Sequence, residues 1–162
     1  PNFLKVPEPL IQKQFARIMS LKDGLKKMSK SDYSDYSRIN LTDDKDLIKN
    51  KIKKAKTDIL PMPGINENLV KRPEVLNLLG IYSNLSNESI EKVKAEFEGK
   101  NFSVFKEKLS ELLIEKIEPI GKKIKNLLKD KSYLDEILEN GAQKANNLAS
   151  KKIKEMKVLA GF

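Results

Sequence analysis

The chain has 162 residues, 39% of them apolar, and carries 32 Lys and Arg against 23 Asp and Glu for a net charge of +9, with neither cysteine nor histidine. That length suffices for one packed core and requires no second complete domain. Lack of Cys and His removes disulfide frameworks and thiolate metal sites and argues against structural zinc. No apolar run approaches the roughly 20 residues that span a bilayer and no signal-peptide pattern opens the chain, so no membrane partner and a cytoplasmic or organelle-matrix location are expected.

The first thirty or so residues, from Pro1-Asn2-Phe3 onward, read as extended and loop-like. Ala16-Arg17-Ile18-Met19-Ser20-Leu21 reads as a strand that delivers a mobile loop, Lys27-Met28-Ser29-Lys30-Ser31, with Gly24 between them leaving the approach loose. Two ammonium groups three residues apart, Lys27 and Lys30, can straddle the oxygens of a polyphosphate, and the hydroxyls of Ser29 and Ser31 can donate to the same oxygens. Met28 can hold the loop's middle against apolar surface. Cations placed there favour a leaving group that gains negative charge, since they stabilise the transition state more than the ground state.

Beyond this loop nearly everything reads as helix. A helix starts near Thr42 as N-cap, with Asp43 and Asp44 in its first turn and Leu47, Ile48, Ile52 and Ala55 on one face. The connector Leu60-Pro61-Met62-Pro63-Gly64 breaks it. Pro73 opens the next helix, whose Val75, Leu76, Leu78, Leu79 and Tyr82 are dense enough for burial on most sides. Ile90, Val93 and Phe97 mark a short amphipathic helix ended by Gly99. The longest stripe runs from Phe102 to Leu128 in steps of three and four across Pro119, which should kink or divide the helix while both halves pack on one core. Ser132 is the candidate N-cap of the last segment, which Gly141 interrupts; Ala142, Ala145, Ala149, Ile153, Met156 and Leu159 form its second stripe. These stripes read as core faces.

Two basic clusters remain outside the stripes, Lys122, Lys123, Lys125, Lys129 and Lys131, and Lys144, Lys151, Lys152, Lys154 and Lys157. The arginines are Arg17, Arg38 and Arg72. Lysine supplies point charge without arginine's bidentate fork, which favours phosphate-backbone attraction over base reading. Composition alone leaves two origins open for the surplus, a nucleic-acid surface or the lysine bias of an AT-rich genome.

The stretch from Ala16 through Asp23-Gly24, KMSKS and Asp32, followed by Ser37-Arg38-Ile39-Asn40-Leu41-Thr42-Asp43-Asp44 and Lys54-Ala55-Lys56-Thr57-Asp58, closely resembles the tryptophanyl-tRNA synthetase family, in its bacterial and organellar branch. Arg72-Pro73-Glu74, Asn77-Leu78, Gly80-Ile81-Tyr82, Glu118-Pro119-Ile120, Tyr133-Leu134-Asp135, Gly141-Ala142-Gln143-Lys144-Ala145 and the final Gly161-Phe162 extend the likeness along the whole chain.

The resemblance implies a mainly α fold: the C-terminal helical bundle of a class I aminoacyl-tRNA synthetase, preceded by a remnant of its Rossmann-like catalytic domain that carries the KMSKS loop. The division implied is 1–41 for the catalytic edge and 42–162 for a helical region that binds the tRNA anticodon arm. The HIGH-type segment and the tryptophan pocket are not in this chain, so it is expected to be a C-terminal portion, inactive alone, of an ATP-dependent ligase. That enzyme activates tryptophan to tryptophanyl-adenylate and transfers it to tRNA(Trp), with Mg2+ accompanying the ATP and a homodimer as the assembly. Lys27 and Lys30 match the lysines that stabilise departing pyrophosphate. Ile18 and Met28 match positions near the adenine, Ser29 and Ser31 complete the ATP-binding loop, and Lys122, Lys123, Lys125, Lys151, Lys152 and Lys154 are the candidate tRNA-facing residues. No residue is a metal ligand on this reading. The alternatives are a tyrosyl-tRNA synthetase fragment, or a non-catalytic helical RNA-binding module.

Overall fold

The structure, a computed structural model, describes residues 3–11 and 15–162. Pro1, Asn2 and residues 12–14, all within the segment expected to be extended, lie outside the described residues. Five α-helices follow a short 3-10 turn at Asp35–Ser37: α1 (Lys45–Lys53), α2 (Pro73–Ser86), α3 (Ile90–Phe97), α4 (Phe102–Leu127) and α5 (Lys131–Leu159). The chain divides into two compact units, Pro1–Pro119 and Ile120–Phe162.

The core of the first unit gathers Ile48 and Ile52 from α1, Val75, Leu78 and Leu79 from α2, Val93 and Phe97 from α3, and Phe105, Leu109 and Leu113 from α4, with Leu21 from the loop region. Edge-on rings fasten three of the helices. Phe97 lies 5.5 Å from Tyr82 and 5.1 Å from Phe105, both near perpendicular, an arrangement that the ring quadrupoles favour. Local chemistry sets the ends. Pro73 occupies the first turn of α2, where no N–H is needed, Ser89 caps α3 by accepting from the Lys92 N–H, and Gly99 turns the chain out of α3 with φ +71°.

Helix α1 starts later than its sequence predicts. Asp44, not Thr42, is the N-cap, accepting from the Leu47 N–H at 2.8 Å. Asp43 is drawn instead into a buried ion pair with Lys51, which fixes the preceding turn and moves the helix start downstream. On α2, Leu76 is exposed and Tyr82 is half-buried, so burial is confined to one side of that helix.

Pro119 does not divide α4, which runs continuously from Phe102 to Leu127. A proline removes one backbone donor, and the rest of a 26-residue hydrogen-bond ladder carries the helix across it. The stripe does change environment: Phe105, Leu109 and Leu113 are buried, whereas Ile120, Leu127 and Leu128 are exposed. The expectation that both halves share one core is therefore corrected.

In the second unit Asp130, not Ser132, caps α5 by accepting from the Tyr133 N–H at 3.0 Å, and Ser132 donates to the same carboxylate. Those two bonds hold the Asp130 carboxyl below its ordinary range. Gly141 does not interrupt α5; it costs propensity but sits inside a long ladder with open space around it. The expected core face of α5 is not buried either. No side chain of the helix is, because a stripe needs a partner of comparable length and its own unit offers only the last turns of α4.

Candidate functional site

The strand expected at Ala16 to Leu21 is reduced, among the described residues, to one antiparallel bridge between Met19 and Lys27. A strand is defined by its neighbour: here the return arm of the hairpin pairs with the segment, and Leu21 at its end donates its N–H to the Ser37 C=O at 2.9 Å and accepts from the Lys56 N–H at 2.7 Å. The hairpin is closed by Ser20 N–H to Lys26 C=O at 2.8 Å and Met28 N–H to Ile18 C=O at 3.0 Å. Its tip is an Asp turn, with the Leu25 N–H donating to Asp23 Oδ1 at 3.0 Å.

Gly24 does not loosen this tip. It is buried against the start of α2, and a Cβ there would lie 2.5 Å from the Glu74 nitrogen and 2.6 Å from the Pro73 carbonyl carbon. Both neighbours are backbone and cannot yield, so the glycine permits a close approach that a side chain would prevent. Glu74 also pairs with Lys56 at 2.7 Å. That hydrogen bond lowers the Glu74 carboxyl against the opposing effect of burial, with the backbone N–H groups of Glu74 and Gly24 adding to it.

Past the hairpin, Met28 is half-buried and packs against the main core, as the loop chemistry requires. Lys27 and Lys30 are exposed on either side of it, and neither meets a carboxylate among the described residues. The hydroxyls of Ser29 and Ser31 lie 2.9 Å apart, close enough to serve one anionic group together. Asp32, the nearest acid in sequence, turns its carboxylate back onto the Ser34 N–H at 2.8 Å. The loop thus presents two unneutralised ammonium groups to solvent from an apolar anchor, a field suited to phosphate oxygens.

The descending arm is held from below. Arg38 donates to the Asp32 carbonyl at 2.9 Å and pairs with Asp35 at 3.1 Å. Lys51, fully buried on α1, reaches Asp35 at 2.7 Å and Asp43 at 2.6 Å. Asn40 joins the two acids, donating through Nδ2 to Asp35 at 2.9 Å and to Asp43 at 3.2 Å. The Lys51 hydrogen bond, seconded by that of Asn40, holds the Asp35 carboxyl below the ordinary 3.8. Sequence reading assigned Lys51 no role, although it lies on the Ile48-Ile52-Ala55 stripe at a spacing of three from Ile48, a position where a charge must find partners.

The candidate basic residues of the second unit are Lys122, Lys123 and Lys125 near the end of α4 and Lys151, Lys152 and Lys154 on α5, all exposed. Asp130 is committed to its cap, and Glu155 pairs with Lys152 at 3.5 Å.

Fold and loop together set the KMSKS hairpin on a helical support. A family profile described as "tRNA synthetases class I (W and Y)" matches residues 1–118, and the chain belongs to that family. Its relatives place it in the tryptophanyl branch. It is 53% identical over 161 residues to a tryptophan–tRNA ligase of Rickettsia conorii, covering 99% of this chain and 48% of that protein. Among solved structures, the tryptophanyl-tRNA synthetase of Mycoplasma pneumoniae matches with a TM-score of 0.79 at 26% identity, covering 93% of this chain and 45% of that one. The Campylobacter jejuni tryptophanyl-tRNA synthetase complexed with ADP and tryptophan matches with a TM-score of 0.67 at 25% identity, covering 99% of this chain and 48% of that one. The chain spans about half the length of the curated relatives it matches.

Proposed function

We propose that the chain is the KMSKS-bearing half of a tryptophan–tRNA ligase. The observation that carries this reading is the pair Lys27 and Lys30, exposed, free of carboxylates among the described residues and set on a hairpin that is docked to the core through Met28. Tryptophan attacks the α-phosphate of magnesium-bound ATP, and charge builds on the departing pyrophosphate. Lys27 and Lys30 meet that charge, Ser29 and Ser31 donate to its oxygens, and Ile18 and Met28 supply apolar surface beside the adenine. The amino-acyl group then passes to tRNA(Trp). Residues 1–41 serve as the edge of the catalytic domain and residues 42–162 as the tRNA-binding region, with a cytoplasmic homodimer as the working assembly. Magnesium enters with the ATP as part of the substrate.

The test is pyrophosphate exchange. The full-length protein should exchange pyrophosphate into ATP with tryptophan and not with tyrosine, while residues 1–162 alone should give none. Exchange that depends on tyrosine would move the protein to the other branch of the family, and no exchange with either would favour a non-catalytic module.

The basic faces of α4 and α5 are proposed to lie along tRNA. Binding of tRNA by residues 1–162, without ATP or tryptophan, should weaken steeply with salt as counterions are released. Salt dependence alone is common to any basic protein. The informative comparison is tRNA(Trp) against a non-cognate tRNA of equal length, where backbone attraction is shared and base contacts differ. A modest preference for tRNA(Trp), lost when its anticodon is changed, is the expected result; equal binding across the salt range would assign the charge to general attraction.

A further inference from the structure

Met19 and Lys27 face each other as a pair without mutual hydrogen bonds, the flanking bonds being Ser20 to Lys26 and Met28 to Ile18. The N–H and C=O of Met19 therefore point away from Lys27, where a third strand would normally receive them. Asn77 of α2 takes that place. Its side chain accepts from the Met19 N–H through Oδ1 at 2.9 Å and donates from Nδ2 to the Met19 C=O at 2.9 Å. The residue is 6% exposed, so water does not compete for either bond. A carboxamide is the neutral side-chain group that presents one acceptor and one donor side by side, as a peptide edge does.

Asn77 is also the middle member of a stripe on α2 that seats the whole hairpin approach. Three residues before it, Glu74 lies under Gly24; three residues after it, Gly80 leaves room for the Phe15 ring, which a Cβ would meet at 2.1 Å. Phe15 and Gly24 fix depth by contact. Asn77 sets the register at the bridge itself, because its two bonds are satisfied at one residue and a slip by one would turn the backbone groups to the wrong side; Leu21, two residues on, is held separately by the Ser37 C=O at 2.9 Å and the Lys56 N–H at 2.7 Å.

We infer that Asn77 is a positioning residue for the loop lysines: by pairing with Met19 it sets the register of the hairpin that carries Lys27, and three residues later Lys30, to the departing phosphates. The inference rests on the proposed function. Its reach is short, since Met19 is bridged directly to Lys27 and adjoins Ile18. Asn77→Asp keeps the shape but sets an acceptor against the Met19 carbonyl; Asn77→Ser is too short to reach both Met19 groups.

In the full-length enzyme either substitution should lower kcat for tryptophan-dependent exchange by on the order of tenfold or more, with KM for tryptophan changed less than about twofold. In a Lys27→Ala, Lys30→Ala background the same substitution should change the residual rate less than about twofold, because the groups it positions are gone. A general weakening of the fold would instead lower both backgrounds alike, and that result, or a wild-type rate in both variants, overturns the inference. Hydrogen exchange separates it from the functional reading. In Asn77→Ser the amides of Met19, Ser20 and Met28 should exchange at least about tenfold faster while those of α4 before Pro119 are unchanged. Unchanged exchange at these three amides overturns the inference even if the wild type is active. A wild type without exchange activity overturns the function, and faster amides would still establish the anchor.

Discussion

Lys27→Ala and Lys30→Ala, each made in the full-length protein, should slow tryptophan-dependent pyrophosphate exchange by on the order of a hundredfold or more, with little change in KM for tryptophan. A hundredfold is about 2.7 kcal/mol of lost transition-state stabilisation, within the range of a charge contact that strengthens as the leaving group ionises. Both ammonium groups are exposed and neither meets a carboxylate among the described residues, so their removal breaks no ion pair of the fold. Stability should stay within about 0.5 kcal/mol of wild type, as for other surface substitutions. The loss therefore falls on kcat, and a melting curve superimposable on wild type separates it from misfolding. Exchange at the wild-type rate in both variants would remove these lysines from the reaction.

What could be read from sequence was whatever depends on neighbours in the chain. The Met28 anchor, Pro73 at a helix start and Gly99 at a helix end each follow from local chemistry, and all three stand in the structure. The misses depend on distant residues. Gly24 reads as a flexible joint until α2 is placed against it, 49 residues later in the chain. Asn77 enters the sequence reading through the family likeness alone, with no role, until Met19, 58 positions earlier, is seen to need its amide. Periodicity also identifies which face of a helix is apolar without saying that a partner is present. The α5 stripe obeys the same spacing as that of α4, yet Ile137, Leu138, Ile153 and Leu159 are all exposed. Propensity explains the cap errors: Thr42 and Ser132 are sound capping residues, but an aspartate close to each satisfies the same helix donors with a charged oxygen.

Lys51→Met should destabilise the chain by about 3 kcal/mol or more, the cost of breaking a buried ion pair from one side. Lys51 has no exposed surface and the Asp43 side chain is 5% exposed, so the loss of the ammonium leaves a carboxylate that water cannot reach. Methionine replaces most of the lysine stem, which confines the effect to the charge. Among the described residues Asp43 then keeps the two Asn40 donors, at 2.9 and 3.2 Å. Asp35 is half exposed and can be hydrated, so Asp35→Ala should cost less than Lys51→Met. Combining Lys51→Met with Asp43→Asn should recover part of the loss, because the amide retains an acceptor for Asn40 and carries no charge. The midpoints of urea unfolding for the wild type, the single variants and the double variant supply the comparison; a double variant that loses the sum of the singles would show that the two groups are not coupled. Acid provides a second, independent reading. The Lys51 hydrogen bond holds Asp35 below 3.8, so the stability this carboxylate contributes is present above about pH 4 and is lost as pH falls through its folded value. Lys51→Met removes that depression at its source, and the gap between wild type and variant should narrow as the pH is taken below 4.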